Sequence, residues 1–466
     1  MSTAGVHIVA YPYPTAGHII PLLDLTQRLL TRGHTVTVLV TPNNLPLLDP
    51  YLSSHPSSLN HLVLPAPDTS IPPPPQKRHI SNMRALRDLH YPILLPWFQS
   101  HSSPPVAILS DFFLGWTHHL ACELGVPRLV FSPSGAFGMS VAFSLSRDLP
   151  KNDDPENVNF LVSLPRIPNS PVYPWWQVPL HYRNGKEGDP DWEFYRNNML
   201  ANTVSWGFVF NSFAELEHVY FEHLKRELGN DRVWAVGPVL PPEDGDLQEQ
   251  ANRGGASSVP CHEVMTWLDS HPANSVVYVC FGSRTVLNSK QMDMLTAALE
   301  LSGVSFILCV READGRRAHD DHGVIPDGFE DRVDGRGLVI KGWAPQVAIL
   351  RHRAVSAFLT HCGWNSVLEG IAAGVVMLTW PMAADQFTNS TLLVDQLGVG
   401  ILVGGGDQNI PESTELAGLL RISTVGGRPE RVQAKKLSDA ALAAVKGGSS
   451  DQDLDEIVKL LADYKK

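Results

Sequence analysis

Twice along this chain, short β-branched runs alternate with amphipathic helical stretches, and that alternation admits few folds. HIVAY at His7, leucines at helical spacing over residues 19–32 and TVTVLVT from Thr35 make a βαβ opening, which predicts a parallel sheet with crossover helices. The pattern recurs at VAILSD before FFLGWTHHLACELG, at RLVFS, and at GFVFNS before AELEHVYFEHLKREL. After RVWAVGPVL it gives way to PPEDGDLQEQANRGGASSVP, polar and Gly-rich, then restarts as SVVYVCF, SFILCV, LVIKGW, VSAFLT, VVMLTW and VGILVG. The expectation is an α/β protein of two Rossmann-like, doubly wound domains facing across a cleft. The first covers residues 1–240, a linker 241–260 follows, the second covers 261–446, and a C-terminal helix at 447–466 packs back on the first. Insertions in the first half, IPPPPQ at 71–76 and the stretch 165–190 with Trp175 and Trp176, are Pro- and aromatic-rich and suit the lining of a binding site. So do the apolar stretches 82–89, 137–143 and 173–176, read as loops; the competing reading is that they fill the first domain's core.

The chain's 466 residues, 43% hydrophobic and 18% charged, suffice for two such cores. Its net charge of −12 leaves no basic surplus for nucleic acid or anionic lipid. Cys122, Cys261, Cys280, Cys309 and Cys362 show neither paired CxxC spacing nor an even count, so no disulfide framework or zinc cluster is expected, and a reducing compartment fits best. The N-terminus lacks a basic n-region, and no apolar run reaches the roughly 20 residues that span a bilayer. A cytoplasmic monomer that binds small molecules, without membrane insertion, is expected.

In open α/β sheets ligands sit beyond the carboxyl ends of the strands. In the second half those positions hold Phe281-Gly282-Ser283, Trp343, the run from His361 through Ser366, and the segment 381–386; in the first half they hold His18 and Asp111. VSAFLTHCGWNSVLEG sets Asn365 and Ser366 where a helix begins, so backbone N–H groups there suit a phosphate, and Glu369 lies on the same face to accept from ribose hydroxyls. The competing reading is a plain helix cap and a surface carboxylate. His361 beside Cys362 lacks the second ligand pair that a metal site needs.

Residues 343–386, WAPQVAILRHRAVSAFLTHCGWNSVLEGIAAGVVMLTWPMAADQ, resemble the plant secondary product glycosyltransferase box. GHIIPLLDL, SDFFLGW and WLDSHPANSVVYVCFGS extend the resemblance over most of the chain. The chain thus resembles a family-one, sugar-nucleotide-dependent glycosyltransferase of plant specialised metabolism, with two Rossmann-like domains in the GT-B arrangement. The resemblance implies that Trp343 stacks on uracil with Gln346 beside the nucleoside. It implies that Ser283, His361, Asn365 and Ser366, with the backbone around Gly363 and Trp364, hold the diphosphate, and that Glu369 binds the ribose. Asp385 and Gln386 would hydrogen-bond the sugar, where the residues alone read as a helix N-cap pair. Gln386 with Trp364 favours UDP-glucose over galactose, rhamnose or glucuronate donors. Val376, Ala384 and Arg353 depart from the family's usual residues and bear on loop shape.

His18 follows PYPTAG and opens a helix, where the positive end of the dipole opposes imidazolium formation, so it suits a general base; Asp111 suits its orienter. The family resemblance implies the same dyad. A locally satisfied histidine and an N-cap aspartate are the bland readings. The implied reaction is inverting transfer of glucose from UDP-glucose, a co-substrate, to a hydroxyl of a small phenolic or flavonoid, forming a β-O-glucoside. No tightly bound cofactor and no metal are expected; the DxD-like strings at 189–191 and 244–246 read as solvated turns. Transfer to a carboxylate, nitrogen or carbon centre, another UDP-sugar, and a non-catalytic sugar-nucleotide-binding protein are the alternatives. A dinucleotide oxidoreductase lacks its glycine fingerprint, and an α/β hydrolase its GxSxG elbow.

Overall fold

The computed structural model describes residues 5–68, 77–154, 156–241, 257–311 and 322–464. The chain divides into two compact units, residues 1–240 with 443–466, and residues 241–442. Most of the linker (242–256), the IPPPPQ insertion and the 244–246 string lie outside the described residues.

In the first unit, β1 (His7–Tyr11), β2 (Thr35–Val40), β3 (Leu59–Val63), β4 (Ala107–Asp111) and β5 (Arg128–Ser132) are followed by a short antiparallel pair, β6 (Leu161–Ser163) and β7 (Val172–Pro174), then β8 (Gly207–Phe210) and β9 (Val233–Ala235). Seven of them form one parallel sheet in the order β3-β2-β1-β4-β5-β8-β9. Every residue of β1, β4 and β5 is buried, as strands covered on both faces require, which is why they read as unbroken apolar runs. Edge strand β3, LNHLV, is largely exposed and interrupted by Asn60 and His61, so its sequence carried no such unbroken apolar run. The strand order reverses between β1 and β4, the switch point at which an open sheet leaves a crevice beyond its strand ends.

Helix Ala16–Thr31 buries Leu22, Leu23, Leu25, Leu29 and Leu30 in the core of this unit. The last helix, Ser449–Tyr464, enters the same core with Leu454, Ile457, Val458 and Leu461. Arg32 meets Asp455 at 2.7 Å and Asp451 at 2.8 Å, and Asp453 accepts from the Ala235 N–H at 2.7 Å. The stretch 82–89, expected as a loop, lies within helix Arg78–Ser100, which continues through Pro92 and Pro96. Phe137 and Phe143 sit in helix Ala136–Asp148, where Phe137 stacks on Tyr220 and Phe143 meets Phe208 edge-on; both fill the core.

In the second unit, β10 (Val276–Cys280), β11 (Ser305–Val310), β12 (Gly337–Lys341), β13 (Val355–Thr360), β14 (Val376–Thr379) and β15 (Gly400–Leu402) form a parallel sheet in the order β12-β11-β10-β13-β14-β15. Its switch point lies between β10 and β13. Val277, Val279, Leu308, Leu359 and Leu378 centre the core, and Val376 is fully buried as the first residue of β14. All five cysteines are free. Among the described residues no helix is long and apolar enough to cross a membrane.

Candidate active site

The switch point of the first unit brings together two side chains 93 positions apart. His18 is the third residue of helix Ala16–Thr31, just beyond β1, and Asp111 ends β4. His18 Nδ1 lies 2.7 Å from Asp111 Oδ2. Asp111 also caps the short turn Phe112–Leu114, its Oδ1 accepting from the Phe113 N–H at 2.9 Å, so the capping role and the dyad use different oxygens. A carboxylate offers only acceptors, so Nδ1 carries the ring proton and Nε2 keeps its lone pair. The His18 side chain retains 16% exposure while Asp111 has none. Phe113 stacks on the imidazole with centroids 4.9 Å apart, and Tyr13 meets it edge-on at 5.6 Å. His79 packs against Phe113, and His181 against Tyr195; burial pushes the His181 imidazole down to about 4, and its Nε2 is buried without a partner.

In the second unit the turns after β10 and β13 meet. Gly282 and Gly363 clamp the His361 imidazole, since a Cβ on either would stand 2.5 Å from its Nε2. Burial pushes His361 down to about 4, so the ring is neutral, and its Nδ1 is buried without a partner. Ser283 follows directly in the β10 turn, its carbonyl accepting from Arg311. Gly363 is the N-cap of helix Trp364–Ala373 and supplies no side-chain cap, so Asn365 and Ser366 stand inside the first turn and do not cap it. Cys362 ahead of them adopts φ +63°, and burial pushes its thiol up.

Gln346, the first residue of helix Gln346–Arg351, ties this turn together. Its Nε2 donates to Ser366 Oγ at 3.0 Å and to Glu369 Oε2 at 2.5 Å, while its Oε1 accepts from the Tyr278 hydroxyl at 3.2 Å. Glu369 is thus held by an amide, contrary to a free surface carboxylate. Trp343, three residues earlier, is half-buried beyond β12. Asp385 is the N-cap residue of helix Gln386–Thr391, where its carbonyl accepts from the Asn389 N–H at 2.9 Å and its side chain makes no capping bond. Gln386 Oε1 accepts from the N–H groups of Met382 and Ala383, each at 2.9 Å, which leaves its amide N–H groups for a ligand. Asn389 fastens this helix to the Cys362 carbonyl at 2.9 Å. Tyr278 and Gly282 had no signal in the sequence beyond their positions in and just after β10, and Asn389, inside a helix, had none. Asp189 and Asp191 bind Lys77 at 3.2 and 3.0 Å, and Asp191 also binds Arg84, so that string is ion-paired, contrary to a solvated turn. Among the described residues no three His, Cys, Asp or Glu side chains cluster as a metal site.

A His–Asp pair thus stands at one switch point, and a clamped, neutral histidine stands beside a helix start at the other. The chain belongs to the plant family-1 UDP-glycosyltransferases, which are transferases. Residues 251–403, which include Ser283, Trp343, Gln346, His361, Glu369 and Gln386, match the family model described as UDP-glucoronosyl and UDP-glucosyl transferase. The chain is 51% identical to UDP-glycosyltransferase 89B2 of Stevia rebaudiana, covering 98% of each. It is 49% identical to flavonol 3-O-glucosyltransferase UGT89B1 of Arabidopsis thaliana, over 97% of this chain and 95% of the relative. Among solved structures, Arabidopsis thaliana UGT89C1 complexed with UDP-L-rhamnose superposes with a TM-score of 0.80 at 39% identity, covering 99% of this chain and 100% of that one. The same enzyme has also been solved complexed with quercetin.

Proposed function

We propose that the enzyme transfers glucose from UDP-glucose, with inversion, to a hydroxyl of a flavonol-type phenolic, forming a β-O-glucoside. The observation that carries this reading is the 2.7 Å His18–Asp111 hydrogen bond, which leaves Nε2 as the proton acceptor. Nε2 takes the proton of the acceptor hydroxyl as its oxygen forms a bond to the anomeric carbon. The bond from that carbon to the diphosphate oxygen breaks, and UDP leaves with the electron pair. A single displacement inverts the centre, and Asp111 stabilises the imidazolium until it passes its proton on.

On the donor side, Trp343 offers an indole face for uracil with Gln346 beside it, and Glu369 accepts from the ribose. Ser283, His361, Asn365, Ser366 and the backbone at Gly363 and Trp364 hold the diphosphate, where the start of the helix favours negative charge. Asp385 accepts from glucose hydroxyls and the Gln386 amide donates to them. No step runs through a metal. The flavonol 3-O-glucosyltransferase at 49% identity supports both glucose and a flavonol; the UDP-L-rhamnose complex at 39% identity makes rhamnose the donor to test against it. Five unpaired thiols support a cytoplasmic setting, where the enzyme works as a monomer.

The test is mass spectrometry of the purified enzyme with UDP-glucose or UDP-rhamnose and a panel of flavonols and simple phenols, with and without EDTA, alongside His18→Ala. Hexose-shifted flavonols from wild type alone, undiminished by EDTA, are expected. Rhamnose-shifted products only would overturn the donor, and near wild-type turnover by His18→Ala would overturn the base.

A further inference from the structure

Directly behind the dyad lies a buried cation that the reaction as described does not use. Arg128, the first residue of β5, is 1% exposed. Its Nε donates to Ser110 Oγ at 2.8 Å and Thr117 Oγ1 at 2.7 Å, and its Nη1 to Asn202 Oδ1 at 2.9 Å and Ser205 Oγ at 2.8 Å. Its Nη2 points at the Asp111 carbonyl, 3.4 Å away. Every one of these acceptors is neutral. A guanidinium taken out of water without a paired carboxylate is costly, and burial pulls Arg128 down to about 9, with the Asp111 charge the influence that opposes this.

We propose that Arg128 is a positioning residue for sugar transfer: its charge balances the Asp111 carboxylate and, through Asp111, sets the basicity of His18. The proposal rests on the reading of His18 as the base. Two routes lead from Arg128 to the dyad. The first is electrostatic. Asp111 is wholly buried: its carboxylate accepts from an imidazole that becomes charged during the reaction, and the Arg128 guanidinium reaches its backbone carbonyl. The cation favours the carboxylate and opposes the positive charge that the imidazole takes up during the reaction. The second is geometric. Asn202, which accepts from Arg128, donates to the Phe112 carbonyl at 2.9 Å, and Asn198 donates to the Phe113 carbonyl at 3.0 Å. That turn supplies the N–H on Asp111 Oδ1 and the ring stacked on His18.

The other groups facing the dyad are Tyr13 from the loop after β1, His79 from helix Arg78–Ser100, Phe112 and Phe113. His118, on helix Thr117–Leu124, is pushed down first by burial and next by the Arg128 charge. Among these described groups Arg128 is the one that is cationic at neutral pH.

The test is the pH profile of kcat/KM for wild type, Arg128→Gln, Asn202→Asp and His18→Ala. Removing the charge raises the affinity of the dyad for a proton, so the acid limb moves to higher pH, by about one to two units for a unit charge several ångströms away at an effective dielectric near 20. Asn202→Asp places a carboxylate on the guanidinium without deleting it, so it moves the limb as Arg128→Gln does and decides the matter where Arg128→Gln does not fold. An unmoved limb in Arg128→Gln and Asn202→Asp overturns the proposal. Retention of the whole profile by His18→Ala overturns instead the reading of His18 on which it stands.

Discussion

Asp111→Asn keeps the shape of the dyad and reverses its chemistry. In the wild type Oδ1 accepts from the Phe113 N–H and Oδ2 from His18 Nδ1–H. The Phe113 N–H can only donate, so the new amide must turn its oxygen toward it and its NH2 toward His18. Nδ1 then accepts and the proton moves to Nε2, where a lone pair is needed. Restoring the productive tautomer requires flipping the amide against a buried donor, at about 1–3 kcal/mol, or about 5- to 150-fold. Losing the carboxylate beside the developing imidazolium adds to this, and the same swap in serine hydrolases costs about 10⁴-fold. The expected loss in kcat is about 10²–10⁴-fold, with UDP affinity unchanged. Asp111→Ala imposes no tautomer and is expected to lose less, about 10- to 100-fold, below the roughly 10²–10⁴-fold that a general base itself contributes. Single-turnover assays at saturating donor, with UDP affinity measured by calorimetry, make the comparison. Asp111→Asn turning over as fast as Asp111→Ala, or faster, refutes this account of the dyad.

Gly282→Ala sets a Cβ 2.5 Å from the His361 ring at φ +76°, so the ring must move; calorimetry is expected to show UDP binding weakened at least about tenfold, and an unchanged Kd would remove His361 from the diphosphate site. His361 and His181, both held near 4 in the folded chain, take up protons near 6.5 once unfolded. Between pH 6.5 and 5 the unfolded chain therefore binds more protons and stability falls as pH falls. His181→Phe is expected to flatten the dependence of Tm on pH in that window, and an unaltered slope would contradict the assignment. Leu461→Ala empties a fully buried position of the last helix and is expected to lower stability by about 2–5 kcal/mol in denaturant titrations of the first unit; a loss under about 0.5 would mean that this helix contributes little to the core.

Local pattern carried the two sheets because strands buried on both faces must be apolar throughout and crossover helices must be amphipathic. It failed at β3, an exposed edge, and at helix Arg78–Ser100, whose two prolines argue against a helix that the rest of its sequence nevertheless forms. Gly363 and His361 were legible from their motif, yet the clamp of Gly282 on His361 joins turns 79 positions apart and no local pattern reports it. Gln386 was legible as a polar residue after a strand, but not the engagement of its carbonyl by the loop before it. Arg128 in RLVFS read as one polar residue opening a strand, and nothing within that stretch distinguishes a buried guanidinium from a solvated one.

By itself, then, the sequence determined the alternation that makes two parallel sheets, the glycines and helix starts suited to a diphosphate, and a polar residue beyond each strand that leads into the site. These depend on neighbours within a turn or a strand, where backbone geometry and periodic burial act directly. Only the tertiary structure decided which of those residues meet. The 2.7 Å His18–Asp111 contact, the Gln346–Ser366–Glu369 junction and the neutral cage around Arg128 each join strands or helices far apart in the chain, and charge, tautomer and burial follow from that juxtaposition.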